Sequence, residues 1–115
     1  MADPRGQGSG PIRSDFASDP EMKELVELFL SELPSRVSSI QGAFETGDVQ
    51  TLKRLTHQLR GASAGYGFPT LGTAAGQIED GLRSLNNETD TSKALLRIST
   101  EVNALVDMCR RANSV

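Results

Sequence analysis

The feature that most constrains the fold is the recurrence of apolar residues at every third or fourth position in four successive stretches. This spacing places apolar side chains on one face of an α-helix, and no stretch alternates as a half-buried strand would. The four sets are Leu25, Leu28, Phe29, Leu33, Val37, Ile40 and Phe44; Leu52, Leu55, Leu59, Ala62 and Tyr66; Leu71, Ala74, Ala75, Ile78, Leu82 and Leu85; and Leu95, Ile98, Val102, Leu105 and Cys109. We therefore predict an all-α fold, an antiparallel four-helix bundle with room for a short extra N-terminal helix.

Helix boundaries are indicated by capping residues, glycines and prolines. Pro34 interrupts the first stretch, but the apolar spacing keeps one helical phase across it, which favours a single kinked helix over two separate ones. The residues predicted to start or end helices are Asp19 with Pro20, Gly47, Asp48, the run from Gly65 to Gly67, Pro69, and Thr89 or Asp90.

Length and composition limit the classes of protein that remain. The 115 residues suit one domain, which we place at 19–115, and residues 1–18 predict a flexible tail or linker because they are rich in Gly, Pro, Ser and Asp without periodicity. A net charge of −3 argues against nucleic-acid binding, and a single Cys and a single His exclude an intramolecular disulfide and Cys- or His-rich metal sites. No apolar run is long enough for membrane insertion. We expect a cytoplasmic monomer, because four amphipathic helices can cover one another.

The single histidine, His57, lies in the second helical stretch, two residues from both Leu55 and Leu59. Each helical residue turns about 100° around the axis, so the imidazole points roughly 200° away from this buried stripe, towards solvent. Neighbours on the exposed face are Lys53, Arg54, Gln58, Arg60, Gly61 and Ala64. A lone surface histidine with basic neighbours is most often simply a solvated face.

Gly61, four residues after His57, favours a functional interpretation. A glycine inside a helix costs roughly 1 kcal/mol relative to alanine, and a solvated helix face has no use for it. Its missing side chain leaves room beside the imidazole for a bulky tetrahedral group, and the nearby cations would stabilise an anion attached there. The pattern indicates a site that carries a phosphoryl group.

The stretch "THQLRGASAGYG" resembles the signature of histidine phosphotransfer (Hpt) domains. The positions that match are His57, Leu59, Gly61, Ser63 and Gly67, with Leu71 and Glu79 further along, and the resemblance extends from residue 19 to about 86. Arg60 stands where the family usually has lysine, and Thr56 stands where a small apolar residue is common. The planar guanidinium of Arg60 changes the expected phosphate geometry but keeps the charge.

The resemblance implies that Nε2 of His57 exchanges a phosphoryl group with the aspartate of a receiver domain. Neutral imidazole is a suitable nucleophile near pH 7. Glu79 is the implied partner of Nδ1–H, with a solvated helix position as its alternative and Gln77 as a substitute partner. Implied phosphate neutralisers are Arg60 and Lys53, and residues for access and docking are Gly61, Ala64, Gln58 and Arg54. Ser63 is expected to cap or pack against a neighbouring helix at least as readily as to contact phosphate.

The same resemblance sets expectations about cofactors and partners. The chain has no Gly-rich phosphate loop followed by lysine and no acidic metal cluster, so we expect no ATP-dependent autophosphorylation. The resemblance implies that this domain binds no cofactor or metal and that Mg²⁺ is held by the partner receiver domain. Expected partners are response-regulator receiver domains and a sensor histidine kinase. A helical adaptor that binds such partners without chemistry is the alternative, whereas phosphohistidine mutases and sugar phosphotransferases need further acid–base groups. The residues leave open a free shuttle, a module of a hybrid kinase or a domain of a chemotaxis-type kinase.

Overall fold

A computed structural model of the chain describes residues 10–84 and 91–113, and these contain four helices and one pair of very short strands. The elements are β1 (Ile12–Arg13), α1 (Lys23–Thr46), α2 (Val49–Gly65), α3 (Pro69–Ser84), α4 (Thr91–Arg111) and β2 (Ala112–Asn113). Consecutive helices pack on one another and α4 returns to α1, which confirms the predicted all-α bundle. The described residues before α1 form β1 and turns, and no extra helix.

The first helix is one continuous element that contains Pro34, as the unbroken apolar phase predicted. It begins at Lys23 rather than at Pro20, because Asp19 accepts a hydrogen bond from the backbone of Glu21 and so closes a turn before the helix. Gly47 ends it in the left-handed region, at a φ of 73°, where glycine has no Cβ penalty.

The second helix begins at the predicted cap. Asp48 accepts a hydrogen bond from the backbone N–H of Thr51 at 3.1 Å, which satisfies one of the free donors of the first turn. The predicted start of α3 at Pro69 is also confirmed. The two candidate caps of α4 at residues 89 and 90 lie outside the described residues.

The core is formed by the apolar stripes of all four helices, and most of the predicted positions are buried. Leu25 and Leu28 are exceptions: both are exposed, and Val26 is buried instead, because the stripe of α1 that faces the other helices begins one residue later. In α2 the buried stripe includes Thr56 and Ser63. The predicted core positions that are only partly buried are Phe44, Leu55, Ala62 and Tyr66. Leu85 lies outside the described residues.

Residues 12–16, here called the N-terminal strap, lie against the end of the bundle. Ile12 pairs in parallel with Ala112, so two short strands occur where the sequence predicted none. The hydroxyl of Ser14 is buried and donates to the carbonyl of Tyr66 at 2.7 Å. The sequence predicted a flexible tail over 1–18. Within the described part of that range, Ser14, Asp15 and Phe16 take part in backbone and side-chain hydrogen bonds.

Gly67, just after α2, is where the strap and the helix meet. Its carbonyl accepts a hydrogen bond from the backbone N–H of Asp15 at 2.7 Å. Its φ is 84°, and an added Cβ would lie 2.6 Å from the hydroxyl oxygen of Ser14 and 2.9 Å from the nitrogen of Asp15. Only glycine fits both this backbone conformation and this close approach.

Candidate functional site

The candidate site lies between α2 and α3, which approach each other closely because α3 presents small residues. An added Cβ at Gly72 would lie 3.3 Å from the carbonyl oxygen of Arg60 and 3.7 Å from the nitrogen of Ala64. Ala75 is fully buried one turn further along. Because the two helices are so close, a side chain on α3 can contact a side chain on α2.

His57 and Glu79 form the centre of the site. His57 projects from α2 with its side chain 67% exposed, and its Nδ1 lies 2.7 Å from Oε2 of Glu79, whose side chain is only 3% exposed. An ionised carboxylate can only accept a hydrogen bond, so Nδ1 carries a proton, and in the neutral form of the ring Nε2 carries the lone pair. The contact therefore selects the tautomer of the neutral imidazole with its proton on Nδ1, on a ring whose side chain is 67% exposed.

Two arginines also donate to the carboxylate of Glu79. Arg60 donates through Nη1 to Oε1 at 3.3 Å, and Arg83 donates through Nη2 to Oε2 at 2.9 Å. Burial raises the pKa of Glu79, but the hydrogen bonds from His57 and Arg60 and the positive charges of a protonated His57 and of Arg83 outweigh it and hold that pKa below its ordinary value. Glu79 is therefore charged at neutral pH, so both arginines are neutralised in part and kept beside the imidazole.

Arg60 lies flat against α3. An added Cβ at Gly76 would be 3.1 Å from its Nε and 3.3 Å from both Cδ and Cζ. From this position the guanidinium faces Glu79 and lies 3.9 Å from the carboxylate of Asp80. The side chain of Arg60 is 52% exposed, so part of its charge still faces solvent next to His57.

Comparison with known protein families gives one match. The family model for the Hpt domain matches residues 24–112, which include all four helices almost completely. The chain belongs to the Hpt domain family. No curated protein and no solved structure matches. Membership supports a histidine phosphotransfer role in phosphorelays and implies interaction with response-regulator or kinase components.

The structure places the other predicted residues of this Hpt domain on different sides of His57. Gly61 is exposed, and an added Cβ there would meet no atom within 4 Å, so packing does not explain this glycine. Ala64 and Gln77 are exposed and line a shallow groove between α2 and α3. Glu79, rather than Gln77, contacts the imidazole, which decides between the two partners proposed from the sequence.

The remaining predicted residues of the Hpt domain lie on α2. Lys53 is half-buried one turn before His57. Arg54 and Gln58 are exposed, and Gln58 lies on the side of α2 that faces α1. The carboxyl of Asp48 has a pKa below its ordinary value because Thr51 donates hydrogen bonds to it, with a smaller contribution from the charge of Arg54.

Sequence reasoning missed Arg83 and Gly76. Arg83 could have been found from its position four residues after Glu79, which places both on one helix face, but that interpretation requires knowing that Glu79 is buried. Ser63 is fully buried where α2 contacts α3, and its Cβ lies 3.8 Å from an added Cβ at Gly72. This position fits packing between helices rather than contact with phosphate.

Within residues 10–84 and 91–113, no group of three or more His, Cys, Asp or Glu side chains is arranged to hold a metal ion. None of the helices in this part of the Hpt domain combines the length and the apolar character needed to cross a membrane.

Proposed function

We propose that this Hpt domain carries a phosphoryl group on Nε2 of His57, accepting it from the aspartyl phosphate of a receiver domain and donating it to the aspartate of another. The observation that carries the proposal is the 2.7 Å hydrogen bond between Nδ1 of His57 and buried Glu79. It directs the lone pair of a neutral imidazole away from the bundle, towards a partner.

The chemistry needs no general base in this chain. The Nε2 lone pair attacks phosphorus, an N–P bond forms, and the bond between phosphorus and the aspartate oxygen breaks so that a carboxylate leaves. Because Nε2 carries no proton, none has to be removed. The ring gains positive charge as the bond forms, and the carboxylate of Glu79 next to Nδ1 offsets that charge.

Charge and space beside His57 suit the product. Arg60 and Arg83 flank Glu79, and each is more than half exposed, so their positive charge is available to the phosphoryl oxygens. We assign Lys53 to the same role by its position one turn before His57. The open space at Gly61 admits the phosphoryl group and the partner's surface.

The proposed transfer also involves a cellular location, an oligomeric state and partners. The domain works as a cytoplasmic monomer that binds no cofactor, and the Mg²⁺ that supports transfer is held by the receiver partner. Receiver domains and a sensor histidine kinase are the proposed partners.

The test is transfer of labelled phosphate from a panel of purified, phosphorylated receiver domains to this chain, with His57→Gln as the control. We expect at least one receiver to label the wild type, with a product that is labile in acid and stable in base, as a phosphoramidate is. His57→Gln should remain unlabelled while keeping its helical circular dichroism. Equal labelling of both chains refutes the assignment of His57. Receivers that bind but never transfer would favour the non-catalytic adaptor.

A further inference from the structure

Gly76 is a buried glycine inside α3 whose presence the backbone does not explain. Among the described glycines only Gly47 and Gly67 have a positive φ, so Gly76 has a conformation that any residue can adopt. Glycine in a helix interior costs roughly 1 kcal/mol relative to alanine. A residue that weakens its own helix in this way is expected to provide something else.

What Gly76 provides is space for the side chain of Arg60. A Cβ at this position would lie 3.1 Å from Nε and 3.3 Å from both Cδ and Cζ, which is tighter than ordinary van der Waals contact. Gly72, one turn earlier, is different, because the atom nearest to an added Cβ there is the backbone carbonyl oxygen of Arg60. Gly72 thus sets the spacing of the helices, whereas Gly76 accommodates a guanidinium.

The location of the guanidinium determines which donors bind each oxygen of the Glu79 carboxylate. Arg60 occupies Oε1, while Oε2 receives both His57 and Arg83. The Arg60 bond is the longest of the three, at 3.3 Å, so a displacement of a few tenths of an ångström breaks it. Without that bond, the carboxylate is held only through Oε2, by His57 and Arg83, and one of its two oxygens is no longer anchored.

We propose that Gly76 is a positioning residue for phosphoryl transfer. The space that it leaves on α3, here called the seat, accommodates the guanidinium of Arg60, and through Arg60 it keeps Glu79 in line with His57. The inference rests on the proposed function and deepens it. A planar, forked guanidinium needs this flat seat, whereas a compact ammonium at the same position would not.

The main experiment is a double-mutant cycle between Gly76 and Arg60. Single-turnover transfer from a phosphorylated receiver is measured for wild type, Gly76→Leu, Arg60→Ala and the double variant, with the maximal rate and the half-saturating receiver concentration determined separately. We expect each single variant to lower the maximal rate by at least about tenfold, because a hydrogen bond to a charged group is lost. In the double variant the leucine fills the space vacated by Arg60, so its rate should match Arg60→Ala within about twofold.

Gly76→Ala is the milder companion variant, and Gly42→Ala is the matched control for helix propensity. An added Cβ at Gly42 meets no atom within 4 Å, and this residue lies on α1, so the control should keep the wild-type transfer rate. Gly76→Ala should lower the maximal rate by a smaller factor than Gly76→Leu. A loss in the double variant equal to the product of the two single losses would show that Gly76 acts independently of Arg60 and would overturn the proposal.

A second measurement follows Arg60 without any phosphoryl transfer. The NMR signal of its Nε–H should shift in Gly76→Ala and remain in place in Gly42→Ala. An unchanged signal in Gly76→Ala refutes the contact between Gly76 and Arg60, whatever the transfer rate of that variant. A wild-type chain that accepts no phosphate from any receiver refutes the proposed function and the transfer role of Gly76, whereas the Nε–H signal still decides whether the seat exists.

Discussion

Replacing Glu79 with glutamine isolates the contribution of one buried charge to the reactivity of His57. The amide keeps the size of the side chain and can still accept a hydrogen bond from Nδ1 at the Oε2 position. Its NH₂ group then occupies the Oε1 position and faces the donor Nη1 of Arg60, so one favourable contact becomes a repulsive one. The negative charge that offsets the developing imidazolium is also lost.

The size of the effect follows from the geometry. Unit charges about 4 Å apart attract by about 1 kcal/mol in water and about 4 kcal/mol at an effective dielectric constant near 20. The imidazole is 67% exposed while the carboxylate is buried, so an intermediate value applies. We expect Glu79→Gln to raise the barrier by roughly 1.4 to 2.7 kcal/mol, which lowers the rate constant of transfer by roughly 10- to 100-fold.

The assay is single-turnover transfer from a phosphorylated receiver at saturating concentration. Asp107→Asn serves as the control, because this exposed carboxylate pairs with Arg111 on α4 and should leave the rate unchanged within about twofold. A Glu79→Gln rate equal to wild type would refute the electrostatic argument. An effect confined to the half-saturating concentration would also refute it, since it would indicate a docking role for Glu79 instead.

Three further predictions concern stability and reactivity. Because the pKa of Glu79 is lowered in the folded state, its charge stabilises the fold above the unfolded-state value near 4.5, and that contribution is lost as the pH falls through the folded-state pKa. The free energy of unfolding measured with urea at pH 7 should therefore be about 1 kcal/mol higher for wild type than for Glu79→Gln. The same difference in free energy at acid pH would contradict this. Gly67→Ala should lower the free energy of unfolding by about 2 kcal/mol or more, because strain at a φ of 84° adds to the clash with Ser14, while Gly65→Ala, which meets no atom within 4 Å, should not destabilise the chain. Burial raises the pKa of Cys109 to about 11, so a thiol reagent at pH 8 should label it only slowly until urea is added, and rapid stoichiometric labelling of the native protein would refute its burial.

The amino-acid sequence determined the local elements because their causes lie within a few residues. Apolar spacing predicted the four helices, and the cap at Asp48, the stop at Gly47 and the start at Pro69 each follow from the backbone chemistry of one residue. The exposed orientation of His57 also followed from helical phase alone.

Tertiary structure decided what depends on residues distant in sequence. Helical phase leaves undetermined how far the buried stripe of α1 extends towards its start, so Leu25 and Leu28 were expected inside and are exposed. The strap could not be predicted because its hydrogen bonds join Ser14 to Tyr66, which lies 52 residues away.

The candidate site divides in the same way. The local signature around His57 is the basis for proposing it as the nucleophile, but the contact with Glu79 rather than Gln77 depended on the rotation of α3 relative to α2. Gly76 acquires a meaning only when the guanidinium of Arg60 is seen lying across it. Helix phase and caps arise from bonds within one element, whereas the site requires two helices at a distance that only their packed side chains set.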